Sequence, residues 1–209
     1  MESARALGVA LERALPAVSD EAAFVEELKT GSDQAFAYLL AVYQNPIFNL
    51  VSHIVEDRAD AADVLQEVFV RVFKGVGHFD GLSSLRTWIY RIAVHQASNH
   101  RRAWLRRHRR EVFSLDDGDK EPAVAAIEAD TRSETPYQAL EQAERQDLVK
   151  RALDSLAQPY RTVVVLREIE GLAYEEIAQV LEIAQGTVKS RLVRGRELLR
   201  RKLVGRVRG

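Results

Sequence analysis

The side chains best suited to do chemistry lie near the C-terminus. Gln185, Thr187, Lys189, Ser190 and Arg191 form a run of hydrogen-bonding groups around Gly186, with Arg194 following. Gln can pair with adenine, and Arg or Lys with guanine, in bidentate fashion, while Thr and Ser serve bases or phosphates. A helix N-terminus itself attracts phosphate, and the glycine permits close approach. The bland alternative is a solvated helix face that happens to carry Lys and Arg. A short amphipathic helix just before the run argues against it.

A second cluster interleaves aromatic and basic residues. Trp88 and Tyr90, with Arg86, Arg91, His95 and Asn99, offer stacking surfaces beside cations that can track a backbone. Opened or single-stranded DNA needs this combination, because unstacked bases present their π-faces. Trp88, Tyr90 and Ile92 can equally be core, and both readings can hold on different faces of one helix. A third group, Asp60, Asp63, Gln66 and Glu67, makes an acidic and amide patch. It is either a helix N-terminus obeying its dipole or a surface for a partner.

Enzymatic chemistry finds little support. The chain has no cysteine, which removes disulfides, thiolate zinc sites and a Cys nucleophile. His95 and His100 are five apart with no carboxylate nearby, so the i, i+4 metal pair of a helix is not offered, and no metal or cofactor is expected. An enzyme acting on nucleic acid would need a metal or an acid/base cluster, and no such set stands out.

The elements that must position these groups read as helices. Tyr174 or Ala173 begins a short helix with Ile177, Ala178 and Leu181 at helical spacing and Glu175 and Glu176 in its first turn. After Glu182-Ile183-Ala184 a second helix turns Val188, Leu192, Leu198, Leu199 and Leu203 inward and leaves Lys189, Arg191, Arg194 and Arg196 outside. This is a helix-turn-helix pattern, which lays the start of its second helix in a major groove. Upstream, a helix runs from Ser19 to Gly31, and Ser32-Asp33 caps another that Pro46 breaks or restarts. Phe36, Leu39, Leu40, Tyr43, Ile47, Leu50, Val51 and Ile54 are its core set, and His53 is surface or core, not a ligand.

Asp57–Lys74 carries two apolar rows, Val64/Val68/Val72 and Leu65/Phe69/Phe73, with Asp60 as N-cap and Asp63 as its box-like partner. The loop after Gly75 and Gly77 leads to a helix from Leu85, capped by Ser83 or Ser84. Pro136 starts a further helix and Pro159 sits at a first helical position. Pro159 and the spacing of Leu156 and Leu166 favour helix over strand for Val163-Val164-Val165. The fold class is therefore all-α.

At 209 residues and 46% hydrophobic, the chain suits two small helical domains. Its net charge of −1 hides strong segregation. No acid stands between Arg86 and Arg110, and Glu197 is the only acid from Lys189 to Arg208, so two basic surfaces imply two nucleic-acid contacts. Between Asp116 and Glu134, seven acids face Lys120 and Arg132 alone, as in a solvated linker. No run approaches the roughly 20 apolar residues of a membrane span, and the N-terminus lacks a basic-then-apolar signal, which places the chain in the cytoplasm.

Three ordered stretches, DAADVLQEVFVRVFK, SSLRTWIYRIAV and GLAYEEIAQVLEIAQGTVKSRL followed by RGRELLR, make the chain resemble bacterial RNA polymerase sigma factors of the extracytoplasmic-function (ECF, sigma-70 family group IV) type. The match spans roughly residues 20 to 203. The resemblance implies an N-terminal extension (1–18), region 2 (19–111), a flexible acidic linker (112–135) and region 4 with the helix-turn-helix (136–209). It implies a transcription initiation factor that binds core polymerase and directs promoter recognition and melting.

Carried over by residue, Asp60, Asp63, Gln66 and Glu67 would dock on the clamp helices of the largest polymerase subunit. Asp80, Ser83, Ser84, Trp88, Arg91, His95 and Asn99 would capture the −10 element, and Gln185, Thr187, Lys189, Ser190, Arg191 and Arg194 would read the −35 element. An anti-sigma protein, able to hold the factor at the membrane, would be a further partner. Two positions depart from the family: His95 stands where Asn is common, and Glu182 replaces a common turn glycine. A left-handed Glu182 would cost about 1 kcal/mol. The C-terminal half alone would equally support a stand-alone helix-turn-helix regulator, but the Asp60–Glu67 patch and the Trp88 region are surplus to that role.

Overall fold

A computed structural model of the chain describes residues 18–55, 58–112 and 148–207. The N-terminal extension, the acidic linker and the expected helix start at Pro136 lie outside these residues, apart from position 18 and position 112. Every regular element among the described residues is helical.

Four helices build the first unit: α1 (Val18–Lys29), α2 (Asp33–Ser52), α3 (Arg58–Gly75) and α4 (Leu85–Val112). Gly31, at φ +79°, turns the chain out of α1, and the Ser32 side chain caps α2 by accepting from the Ala35 N–H at 3.3 Å. α2 passes through Pro46 without stopping. Pro46 cannot donate to the Val42 carbonyl, a loss usually worth about 3 kcal/mol in a helix interior. Ile47, Leu50 and Val51, all fully buried just beyond it, offset that loss and keep the helix continuous. Leu40, expected in the core, is instead 40% exposed, because α2 carries apolar residues on more than the face it buries.

α3 starts at Arg58, so Asp60 lies in its first turn and is not the N-cap. Its valine row, Val64, Val68 and Val72, is completely buried against α2 and α4. The second row is not inward throughout: Leu65 and Phe69 are half-buried and Phe73 is 60% exposed. A 3₁₀ turn (Val76–His78) and an open loop then lead to α4. Ser84 caps it, its Oγ accepting from the Thr87 N–H at 3.1 Å and donating to Thr87 Oγ1 at 2.9 Å.

The second unit comprises α5 (148–154), α6 (Gln158–Val164), α7 (Tyr174–Leu181) and α8 (Gln185–Val207). Pro159 stands in the first turn of α6, where its missing N–H costs nothing. Val163, Val164 and Val165 are helical and buried. Past Val164 the helix widens into a π turn (Val165–Ile169), with the Glu170 N–H reaching back to the Val165 carbonyl at 3.0 Å. Such widened turns are uncommon and often mark functional positions. This one delivers Glu170, buried, to the face of α4.

The two units touch. α4 packs along α7, and Ala93 and Ala97 are fully buried on α4. At the other edge, the Arg161 guanidinium donates to the His53 carbonyl at 3.1 Å and to the Leu156 and Asp154 carbonyls, pinning the α5–α6 corner to the end of α2.

Candidate nucleic-acid interface

The helix-turn-helix is built from local rules. The Ala173 N–H donates to Glu176 Oε2 at 2.6 Å, so the third residue of α7 reaches back to satisfy an otherwise orphaned donor. Ile177 and Val180 are buried, and α7 ends at Glu182, a non-glycine residue held left-handed at φ 53°, ψ 44°. After this turn α8 presents Val188 and Leu192 to the core.

Thr187, Ser190, Arg191 and Arg194 follow i, i+3, i+4, i+7 and therefore share one face of α8. Lys189, Ser190 and Arg194 are exposed, while Gln185, Thr187 and Arg191 are half-buried. Three of these groups already have partners: the Gln185 amide donates to Glu175 Oε1, the Ser190 hydroxyl donates to the Thr187 carbonyl at 3.0 Å, and Arg194 pairs with Glu197 at 2.8 Å. Glu197, hydrogen-bonded by Arg194 and next to Arg201, has its carboxyl held below the ordinary range. Arg196, also outward, is bound to Glu168 at 2.5 Å and so belongs to the packing of α8 on the π turn. Gly186 borders open space, which leaves the start of α8 approachable.

The second surface comprises the loop from Phe79 to Ser84 and the first turns of α4. Asp80 Oδ1 accepts from the Leu82 N–H at 3.1 Å, and Gly81 adopts φ +74°, so the loop tip is an ordered turn. It thrusts Leu82 outward at 86% exposure, a feature the sequence reading did not single out. Ser83 is half-buried beside it, and Ser84 is committed to its cap.

Trp88 is half-buried, its ring 5.3 Å from that of Phe79 and lying over Gly75. Tyr90 turns the other way and is buried, so it presents no stacking face to solvent in this arrangement. Arg91, His95 and Asn99 follow one another at i, i+4, i+8 along a single ridge. The Asn99 amide donates to His95 Nδ1 at 3.1 Å and its carbonyl accepts from Arg102 at 2.9 Å. The Arg91 Nε has no hydrogen-bond partner among the described residues.

On α3, Asp63, Gln66 and Glu67 are exposed, while Asp60 is half-buried with a carboxylate oxygen 3.9 Å from His100 Nε2. The two units enclose a cleft of about 1380 Å³. Asp63 and Glu67 line it together with Trp88, Arg91 and His95 of α4 and Arg191 of α8. Thus side chains expected to serve three different contacts face one space. Beside the acidic patch, Phe36, Leu40, Phe69, Val70 and Phe73 wall an apolar groove between α2 and α3. Among the described residues, no helix is long and apolar enough to cross a membrane.

Comparison with known proteins agrees with this architecture. Residues 39–112 match the family model for sigma-70 region 2, and residues 146–199 match that for sigma-70 region 4. The chain is 36% identical over 175 residues to the RNA polymerase sigma-H factor of Pseudomonas aeruginosa, covering 84% of this chain and 89% of that one. It is 34% identical over 181 residues to the ECF RNA polymerase sigma-E factor of Haemophilus influenzae, covering 87% and 94%.

Among solved structures, the sigma factor RpoE of Bartonella quintana, in complex with the anti-sigma factor NepR, superposes with a TM-score of 0.61 at 26% identity, over 80% of this chain and 96% of that one. CnrH, in complex with the cytosolic domain of CnrY, has the same fold, with a TM-score of 0.61 at 21% identity over 88% and 97%. Two family models in the order region 2 then region 4, on a chain whose relatives align over almost their whole length, lead to one assignment: the chain belongs to the extracytoplasmic-function group of sigma-70 family RNA polymerase sigma factors.

Proposed function

We propose that this chain binds core RNA polymerase and directs promoter recognition and melting for transcription initiation, with its three surfaces dividing that work. The carrying observation is that two helical units each present an outward set of polar, cationic or aromatic side chains, suited to different states of DNA. One is a helix-turn-helix whose outward face holds Thr187, Ser190, Arg191 and Arg194, and the other is a turn and ridge from Asp80 to Asn99.

The division follows from the chemistry of the two DNA states. Intact duplex displays its base edges in the major groove, which admits a helix; α8 therefore reads the −35 element, Arg191 and Lys189 suiting guanine and Gln185 adenine. Reading by Gln185 requires its amide to exchange Glu175 for a base. Melting requires bases trapped after they leave the stack, at a cost of a few kcal/mol per base. The Asp80–Ser84 turn, Trp88 and the Arg91–His95–Asn99 ridge supply the aromatic, amide and cationic groups for the −10 strand. The exposed Asp63, Gln66 and Glu67, with Asp60, dock on the polymerase clamp helices. No step is catalysed by this chain; it positions polymerase and stabilises opened DNA.

The solved relatives RpoE and CnrH were captured with the anti-sigma factor NepR and the cytosolic domain of CnrY, which supports a regulatory anti-sigma partner for this chain as well. That partner would hold it at the membrane from the cytoplasmic side. The test is transcription in vitro with purified core polymerase on a genomic promoter library. Discrete start sites that require the chain support the reading. Tight binding to duplex DNA with no affinity for core would favour a stand-alone regulator instead.

A further inference from the structure

The loop before α4 carries a side chain that neither the core nor a cap explains. Leu82 is 86% exposed, while Phe79 and Leu85, three residues to either side, are buried. Both feet of the loop are anchored. The Phe79 ring lies 5.3 Å from that of Trp88, and its N–H donates to the Val76 carbonyl at 3.0 Å. The Leu85 N–H donates to Glu21 Oε1 of α1 at 3.1 Å, and Ser84 is held as the cap of α4. Between these feet the Asp80 carboxylate takes the Leu82 N–H, and a Cβ added at Gly81 would meet nothing within 4 Å. The tip is a fixed turn that lifts one leucine into open solvent.

Charge decides what such a tip can approach. From Phe79 to Leu85 the sole charge is that of Asp80, and the next cation, Arg86, is engaged by the Glu170 carbonyl. The tip therefore gains nothing from phosphates, which repel its carboxylate. Cations able to follow a backbone, Arg91 and Arg102, stand further along α4. An apolar side chain with no phosphate anchor beside it suits the interior of a base stack, where it meets base faces instead of water. Leucines and side chains of similar size enter base steps in proteins that kink DNA, partly unstacking them.

We infer that Leu82 is an apolar wedge for promoter opening: it enters the gap between the last paired and the first unpaired base of the −10 element and takes the stacking place of the base that has left. The inference rests on the −10 assignment proposed above and adds to it a residue outside that set. Closed duplex has no gap, so Leu82 stays in water and contributes nothing to binding. Once the step opens, burial of the leucine offsets part of the unstacking cost. The wedge thus lowers the barrier to opening without raising affinity for duplex. Trp88, half-buried against Phe79 and over Gly75, offers a platform beside the gap, not a group that can enter it.

The test uses the full chain with core polymerase on a promoter that this holoenzyme selects, with 2-aminopurine in the −10 element as a fluorescent report of unstacking. Leu82→Ser should slow opening of the fully paired promoter by about tenfold or more. Leu82→Met, apolar and of similar volume, should open it within about twofold of the wild-type rate. On the same promoter mismatched across the −10 element, where the strands are already apart, Leu82→Ser and wild type should initiate within about twofold of each other. Neither substitution touches the core, and circular dichroism should show unchanged helical content.

Opening of the paired promoter by Leu82→Ser at the wild-type rate would overturn the wedge. Equal losses on paired and mismatched promoters would also overturn it, assigning Leu82 to a contact with polymerase or with the strand after melting. Wild-type protein that supports initiation on neither template would instead refute the proposed function.

Discussion

A Cβ placed on Gly195 would lie 2.7 Å from Val164 Cγ2, closer than real carbon contacts allow. α8 therefore crosses α6 at a point where only a hydrogen fits. Gly195→Ala must push Val164 or the helix aside. Overpacking of this kind costs about 1–3 kcal/mol, although alanine's better helix propensity returns part of it. Thermal denaturation should show a lower midpoint for this variant, and an unchanged or higher one would mean that Val164 rotates away freely.

Glu182 invites the opposite change. It is the only non-glycine residue among the described ones with positive φ, and it closes the turn between α7 and α8. A left-handed conformation costs an L-residue about 1–2 kcal/mol, of which glycine's larger unfolded-state entropy would reclaim a part. Glu182→Gly should stabilise the chain by about 0.5–1 kcal/mol. Chemical denaturation of the two proteins measures the difference.

Arg191→Ala separates base reading from phosphate contact. If Arg191 pairs with guanine in the −35 element, its loss weakens promoter binding by about 1–3 kcal/mol on the preferred sequence and little on sequences already mismatched there. Equal weakening on every sequence, with a smaller salt slope, would reassign it to the backbone.

Asp63→Arg tests the docking patch. Asp63 is exposed and makes no ion pair among the described residues, so the reversal should leave the fold intact. Affinity for core polymerase should fall by a factor of about 30 or more, about 2 kcal/mol, while binding of the full chain to −35 duplex is unaltered. Fluorescence anisotropy with core and with duplex gives both values, and unchanged core affinity would move the docking surface elsewhere.

Folding stability should respond to pH at the junction of the two units. Burial pushes the Glu170 carboxyl above its ordinary value, opposed by the Tyr90 hydrogen bond and by Arg86 on α4 and His53 at the end of α2. The folded chain then binds the Glu170 proton more tightly than an unfolded chain in which the carboxyl meets water. This contribution to stability is complete below the ordinary carboxylate pKa of about 4.3 and is lost as pH rises through the raised value. Chemical denaturation should therefore show a smaller contribution from this site as pH climbs out of the acidic range, and Glu170→Gln, which cannot ionise, should remove the part due to Glu170.

Much of this organisation is written locally. The turn between α7 and α8, the Ser32 cap, a serine cap at position 83 or 84 and the Val64, Val68, Val72 row can be read from spacing, because helix periodicity and capping depend on neighbours within a few residues. The order of the three motifs identified the family for the same reason. Tertiary packing decided the rest. Pro46 stays inside α2 because buried residues on both sides of it hold the helix together, a sum that no local propensity contains. Phe73 and Leu40 repeat the core pattern yet line an open groove, since periodicity tells which residues share a face but not whether a neighbour arrives to cover it. Tyr90 could be read from sequence as stacking or core; only the arrival of Glu170, 80 residues later and turned inward by a π turn, decided that it joins the two units.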